Sequence, residues 1–250
     1  MPALLKARRI IVTGGASGFG RAICLRLAKD GAHVIVNCRT RHDEAATLVA
    51  EIERSGGSAD VISADVTDGA AVRVMLEQQT AQGGIQGLVH AASAPLRDSR
   101  FGRTPWDSFE QHWRVAVQGA YNLTQAFIAQ PESCSPESIV FILSSGTLGV
   151  PPGDKAAYIT AKYALLGLAR SLAVELAARR IRVNCLSPGF AETPLTAHVD
   201  PRVKELIARA VPLKRLAEPE EIAQAVAYLS GPNSGYLTGV NLPIAGGAVM

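Results

Sequence analysis

An α/β fold is predicted for this chain: one doubly wound domain with a parallel sheet of about seven strands and helices on both faces. Three observations predict it. Short β-branched runs alternate with helix-length segments along the whole sequence. Hydrophobic residues make up 48% of the chain and aromatics only 5%. Glycines crowd between the first β-branched run and the first helical segment. Strands separated by helices need crossover connections, and crossovers make neighbouring strands parallel. A sheet covered on both faces buries Val, Ile, Leu and Ala along whole strands, which suits this composition. At 250 residues the chain is long enough to bury a large core as a single domain over 1–250.

The elements follow in order. Ile10-Ile11-Val12 predicts the first strand. Gly14, Gly15, Gly18 and Gly20 form the turn after it, and residues 21–29 carry Ile23, Leu25 and Leu27 before Gly31 stops the helix. Val34-Ile35-Val36 is the second strand, and apolar residues at 45, 48, 49 and 52 give 43–54 helical spacing. Residues 59–62 read as strand, 70–79 as helix and 87–89 as the opening of the fourth strand. A looser, proline-containing stretch covers 93–105, and 109–128 predicts one long helix. A strand over 138–143 precedes an Ala/Leu-rich helix over 156–178 and a strand over 181–186. Residues 188–215 hold Pro, Thr and a short helical piece. Pro219 starts a helix to 229, with Glu220 and Glu221 at its positive end, and 239–243 is the last strand.

Composition excludes several classes. The formal charge is +3, and the basic residues are spread out with no Lys/Arg block, so no nucleic-acid partner is expected. Cys24, Cys38, Cys134 and Cys185 lie far apart without CxxC or Cys/His spacing, which argues against a disulfide framework and against a metal site. No apolar run approaches the roughly 20 residues of a membrane helix, and no signal-like segment opens the chain. A soluble, cytoplasmic setting without a membrane partner is expected.

The turn Thr13-Gly14-Gly15-Ala16-Ser17-Gly18-Phe19-Gly20 carries the first chemistry. Gly14 lets the chain reverse. Gly18 and Gly20 let backbone approach a pyrophosphate and let the helix pack close to the sheet. The helix N-terminus then offers free N–H groups to phosphates. A purely structural turn is the alternative, but the strand–turn–helix context favours a dinucleotide.

The TGGASGFG segment resembles the fingerprint of the short-chain dehydrogenase/reductase family, a Rossmann-like fold. The resemblance spans residues 8–247 and includes Asp65-Val66, Tyr158-Ile-Thr-Ala-Lys162, the segment from Ile181 to Gly189, and the segment from Pro212 to Pro219. It implies a cofactor site of Gly14, Ser17, Gly18, Phe19, Gly20, Asp65, Val66, Ala92, Pro188, Gly189 and Thr193. Asp65 is expected to bond the adenine amino group, or to cap a helix ahead of Thr67. Residues 190–212 are expected to form a lid over substrate.

The end of the second strand selects the dinucleotide. An acidic residue there would bond a ribose 2′-hydroxyl and repel a 2′-phosphate. Cys38 stands at that point and Arg39 follows it. A guanidinium matches a phosphate by charge and by geometry, so NADPH is the expected cofactor, with Arg41 assisting. Solvated loop arginines are the alternative.

In the family, a Ser/Tyr/Lys set reduces carbonyls. Tyr158 and Lys162 are four residues apart on a predicted helix, and Ser145 lies thirteen residues before Tyr158. Tyr158 would give the carbonyl oxygen its proton, Lys162 would lower the Tyr158 pKa and hold the nicotinamide ribose, and Ser145 would bond the substrate oxygen. Tyr158 and Lys162 would also touch the cofactor. Taken singly, each is compatible with an ordinary helix residue.

Three positions depart from the family pattern. His90-Ala91-Ala92-Ser93 replaces the usual Asn-Asn-Ala-Gly, with His90 read as a strand-end residue bonding backbone. Ala116 replaces an Asn that supports a water chain from the lysine. Ala245 replaces an Asp before the last Gly-Gly. The expected activity is NADPH-dependent reduction of a ketone to a secondary alcohol, with a free or carrier-bound 3-oxoacyl thioester as substrate. A secondary-alcohol dehydrogenase and a non-catalytic NADPH-binding protein are the alternatives. Leu96, Leu148, Val150, Pro151, Pro152 and Leu195 are expected to line an apolar pocket. The helices over 109–128 and 156–178 are expected to pair in a homotetramer.

Overall fold

The computed structural model describes residues 4–97 and 99–249. Seven strands form one sheet: β1 (Arg9–Thr13), β2 (His33–Cys38), β3 (Ser58–Ser63), β4 (Gly87–His90), β5 (Ser138–Ile142), β6 (Arg182–Pro188) and β7 (Asn241–Ile244). Their order is β3-β2-β1-β4-β5-β6-β7, and every neighbouring pair is parallel. The helices are α1 (Gly18–Lys29), α2 (His42–Arg54), α3 (Gly69–Thr80), α4 (Trp106–Trp113), α5 (Gly119–Ile128), α6 (Ala156–Glu175), α7 (Pro201–Ala210) and α8 (Pro219–Ser230).

The alternation of side chains along each strand divides the core in two. Ile10, Val12, Val34 and Val36 pack with α1 and α8 on one face. Ile11, Ile35, Leu88 and Phe141 pack with α3, α5 and α6 on the other. Full burial of each large aliphatic or aromatic side chain contributes roughly 1.5–3 kcal/mol.

Four departures from the sequence expectation bear on function. The helix expected over 109–128 starts earlier, at Trp106, and a π-helical turn at Arg114–Gln118 interrupts it. Gly239, expected to open the last strand, has φ +78°, and the strand begins at Asn241. The helix expected to run to 178 ends at Glu175 and passes into a 3₁₀ turn. The helical piece within 188–215 is α7, which has no fully buried residue.

The strand order reverses between β1, which continues to β2, and β4. Chains leaving adjacent strand ends on opposite faces open a crevice at such a point. The turn after β1 and the loop after β4 meet there.

Candidate active site

The turn after β1 is dictated by glycine at two levels. Gly14 and Gly18 have φ of +64° and +52°, where side-chain-bearing residues are strained. A Cβ on Gly14 would lie 2.9 Å from the Ala92 Cα, and one on Gly20 would lie 2.1 Å from the Gly14 carbonyl oxygen. Gly20 therefore serves the close approach of α1 to the turn inside the protein. Ser17 precedes α1 in extended conformation without a side-chain cap, and the first turn of α1 holds no acidic residue. The exposed end of the helix thus keeps its donors and its positive potential for an anion.

A cleft of about 1040 Å³ starts at this turn. Gly14, Ser17, Gly18, Phe19, Gly20, Arg39, Asp65, Val66, Ala92 and Thr193 all reach its wall. This glycine floor and the adjoining cations fit a dinucleotide: added Cβ atoms would close the turn, and Arg39 and Arg41 supply positive charge at the far end.

Arg39 Nη1 lies 3.3 Å from the Asp65 carboxylate, while Arg41 pairs with Glu44 at 3.4 Å. Partial burial works against the ionised Asp65, but hydrogen bonds from Thr67 and Arg39 outweigh it and hold the carboxyl below its ordinary pKa. Asp65 Oδ1 accepts the Thr67 N–H at 2.9 Å, yet the cap of α3 is Asp68, which accepts from Ala70 and Ala71. Cys38 is buried and free, as are the other three cysteines. Among the described residues no His/Cys/Asp/Glu cluster is arranged to hold a metal.

At the end of β4, His90 is buried and bonded at both ring nitrogens. Nε2 lies 3.1 Å from the Val115 carbonyl and Nδ1 lies 2.8 Å from the Thr13 hydroxyl. A carbonyl only accepts, so Nε2 carries the hydrogen and Nδ1 accepts from Thr13. Burial, and then the charge of Lys162, push the His90 pKa down to about 3. Thr13 in turn accepts the Ala92 N–H at 3.3 Å. The network joins the cleft to the π-helical turn that contains Ala116. Ser93, in place of a glycine, bonds the Ala94 carbonyl and has no positive φ.

Tyr158 and Lys162 lie one turn apart on α6, and the Lys162 ammonium is 5.6 Å from the centre of the Tyr158 ring. Lys162 is buried and donates to the Ile142 carbonyl at 2.7 Å. Burial lowers its pKa to about 8, partly opposed by Cys185. Burial raises the Tyr158 pKa, and a hydrogen bond with the Ser144 side chain opposes the rise. Desolvation dominates at the phenol of the protein alone, while Lys162 is engaged with the end of β5; the lowering expected from Lys162 belongs to the complex with oxidised cofactor.

Ser144 was missed from the sequence. It follows β5, accepts the Gly146 N–H at 3.3 Å and sits on Tyr158, while Ser145 opens the adjoining 3₁₀ turn. The Ser-Ser doublet is the available signal, and the family resemblance with its thirteen-residue spacing to Tyr158 selects only the second member. His112 was missed as well; its buried ring meets the Tyr158 ring edge-to-face, with centroids 5.6 Å apart.

Pro188 ends β6, and Gly189 donates to the Ile244 carbonyl at 2.8 Å. A Cβ on Gly189 would lie 3.1 Å from the Cα of Ala245, so a side chain there would crowd the Ala245 backbone. Thr193 stands over Gly18, 3.4 Å from where its Cβ would be, and caps the turn Pro194–Thr196. Leu96 and Leu195 reach the cleft wall. Leu148, Val150, Pro151 and Pro152 are not part of that wall, and Val150 is 97% exposed. Arg97 and Arg114, not anticipated from the sequence, line the cleft.

Comparison with known proteins places this geometry. Residues 14–249 match a family model described as enoyl-(acyl carrier protein) reductase. The acetoacetyl-CoA reductase of Allochromatium vinosum is 35% identical over 98% of this chain and 99% of its own. The 3-oxoacyl-[acyl-carrier-protein] reductase FabG of Thermotoga maritima is 32% identical over the same shares. A short-chain dehydrogenase from Burkholderia cenocepacia, solved in complex with NADP, superposes with a TM-score of 0.89 at 30% identity, covering 98% of this chain and 99% of that one.

Proposed function

The chain belongs to the short-chain dehydrogenase/reductase family and is an oxidoreductase of carbonyl and CH–OH groups, and from that premise we propose that it reduces a 3-oxoacyl thioester to the 3-hydroxy compound with NADPH. The observation that carries this reading is half-buried Tyr158 and buried Lys162, one turn apart on α6 beside the Ser144-Ser145 turn. The similarity to acetoacetyl-CoA and 3-oxoacyl carrier-protein reductases supports the substrate class. Cys38 at the end of β2, where an acidic residue would repel phosphate, and Arg39 just after it on the cleft wall support NADPH.

Bound in the cleft, the dinucleotide supplies a hydride to the carbonyl carbon. The glycine turn and the start of α1 would hold its pyrophosphate, Arg39 its 2′-phosphate, and Asp65 and Val66 its adenine end. Ala92, Pro188, Gly189 and Thr193 would bound its nicotinamide end. Tyr158 donates its hydroxyl proton to the carbonyl oxygen, and Ser145 donates a hydrogen bond to that oxygen as charge develops. Lys162 orients the nicotinamide ribose and, when charged, favours the phenolate that Tyr158 becomes. Residues 190–212, including the loosely packed α7, close over substrate. Exposed Trp113, Tyr121, Tyr163 and Val174 on α4–α6 support the homotetramer, which light scattering tests.

The deciding assay follows NADPH oxidation with 3-oxoacyl thioesters, simple ketones and 2-enoyl thioesters. Turnover on the 3-oxoacyl compounds is expected. Turnover on the enoyl compounds alone would move the reading to the chemistry named by the family model. Tight NADPH binding with no turnover on any compound would leave a binding protein.

A further inference from the structure

His112 has no part in the chemistry described above. It is 6% exposed, and its ring lies against Tyr158. Among the described residues no hydrogen bond reaches its ring nitrogens. A neutral imidazole presents one N–H and one lone pair, and the His112 nitrogens are not among the fully enclosed polar atoms, so the ring keeps an opening through which water can reach them. The ring faces a cavity of about 10 Å³, near the least room that one water occupies. Ser108, Asp154, Lys155 and Tyr158 also line it, and Leu96, Arg97 and Ser108 are shared with the large cleft. His112, Tyr158 and three residues of the cleft wall thus line one small cavity.

The groups facing His112 keep it neutral. Burial first, and then Lys162 on α6, push its pKa down to about 4. Among the described residues, Asp154 and Lys155, just before α6, and Arg97, after β4, are the charged groups on the cavity wall. Ala116, in the π-helical turn that follows α4, has no side-chain polar atom to offer.

We propose that His112 carries protons between Tyr158 and a water in this cavity, restoring the proton that Tyr158 gives up in each turnover. The proposal rests on Tyr158 being the proton donor. In the reaction the carbonyl carbon gains a hydride from NADPH and the carbonyl oxygen gains the Tyr158 proton, leaving a tyrosinate. A solvent proton enters through the cavity water and is accepted at one imidazole nitrogen. The other nitrogen releases its proton toward the tyrosinate, and the Tyr158 O–H bond re-forms. Each turnover consumes one hydride and one solvent proton. The nearby Lys162 charge disfavours a persistent imidazolium, so the proton passes on.

Stopped-flow absorbance of NADPH oxidation tests this with the full chain and a 3-oxoacyl thioester. Tyr158 is protonated at the start, so His112→Ala is expected to complete the first turnover at the wild-type rate. Later turnovers are expected to slow by about 10–100-fold, within the usual range for an acid–base group. Added imidazole is expected to restore them. Equal loss in both phases, an unchanged steady state, or no rescue by imidazole would overturn the proposal. If His112→Ala does not fold, His112→Gln, which keeps polarity and bulk but cannot relay a proton, is judged by its burst and steady state alone. Tyr158→Phe separates the two readings: it should abolish the first turnover too, and activity retained there overturns the role of Tyr158 itself.

Discussion

Arg39 and Asp65 face each other across the mouth of the cleft, 3.3 Å apart, with the Arg39 side chain 61% exposed. An exposed pair at that distance contributes little to stability and is readily exchanged. The guanidinium is held beside the cleft and remains available to a stronger anion. Arg39→Ala is expected to weaken NADPH binding by about 10–100-fold, the scale of a charge-assisted hydrogen bond, and to leave NADH nearly unchanged. Fluorescence titration with both dinucleotides measures it. Equal losses for the two would remove Arg39 from the phosphate site.

Tyr158→Phe removes one oxygen from a half-buried ring. Turnover should fall by at least about 100-fold, the lower range for a general acid, with NADPH affinity within about threefold of wild type. Parallel loss of cofactor affinity would indicate a structural role.

The serine doublet separates by experiment. Ser145→Ala should lower kcat by about 100-fold or more, as loss of an oxyanion donor does. Ser144→Ala removes a bond that lowers the Tyr158 pKa, so the tyrosine should titrate at still higher pH. Ultraviolet difference titration of the phenol follows the shift. If Ser144→Ala has the larger effect on kcat, the two roles are exchanged.

Lys162 has a pKa lowered to about 8 from an ordinary 10.5. Its charged form is needed, so kcat/KM for the dinucleotide, which reports the free enzyme, should fall as pH rises through about 8. Stability should move in the opposite direction. Between pH 8 and 10.5 the unfolded chain retains a proton that the folded chain has released, so this residue adds stability as pH rises there. Lys162→Met should flatten both dependences in rate and denaturation profiles.

His90 and His112 act at the acid end. Their pKa values are lowered from 6.5 to about 3 and about 4. Below pH 6.5 the unfolded chain takes up protons that the folded chain refuses, so stability should fall as pH drops toward 4. Urea midpoints from pH 7 to 4 should show a shallower fall in His90→Asn than in wild type. An unchanged slope would mean that His90 is not held neutral.

The sequence by itself determined the order of the elements, because strand and helix periodicity are local properties of the chain. It also determined the glycine turn, where positive φ at Gly14 and Gly18 admits few other residues, and the Tyr158–Lys162 spacing, which one helical turn guarantees. Contacts across long separations came from folding alone. The π-helical turn at Arg114–Gln118 is invisible in RVAVQ, whose residues suit an ordinary helix. It accompanies the bond from His90, twenty-five residues earlier, to the Val115 carbonyl. Packing likewise set Ser144 on Tyr158, buried His112 beside it, and turned Lys162 toward β5. Periodicity reports how a segment meets its own neighbours; burial and desolvation, which set these pKa values, depend on atoms brought together only when the sheet and its helices close.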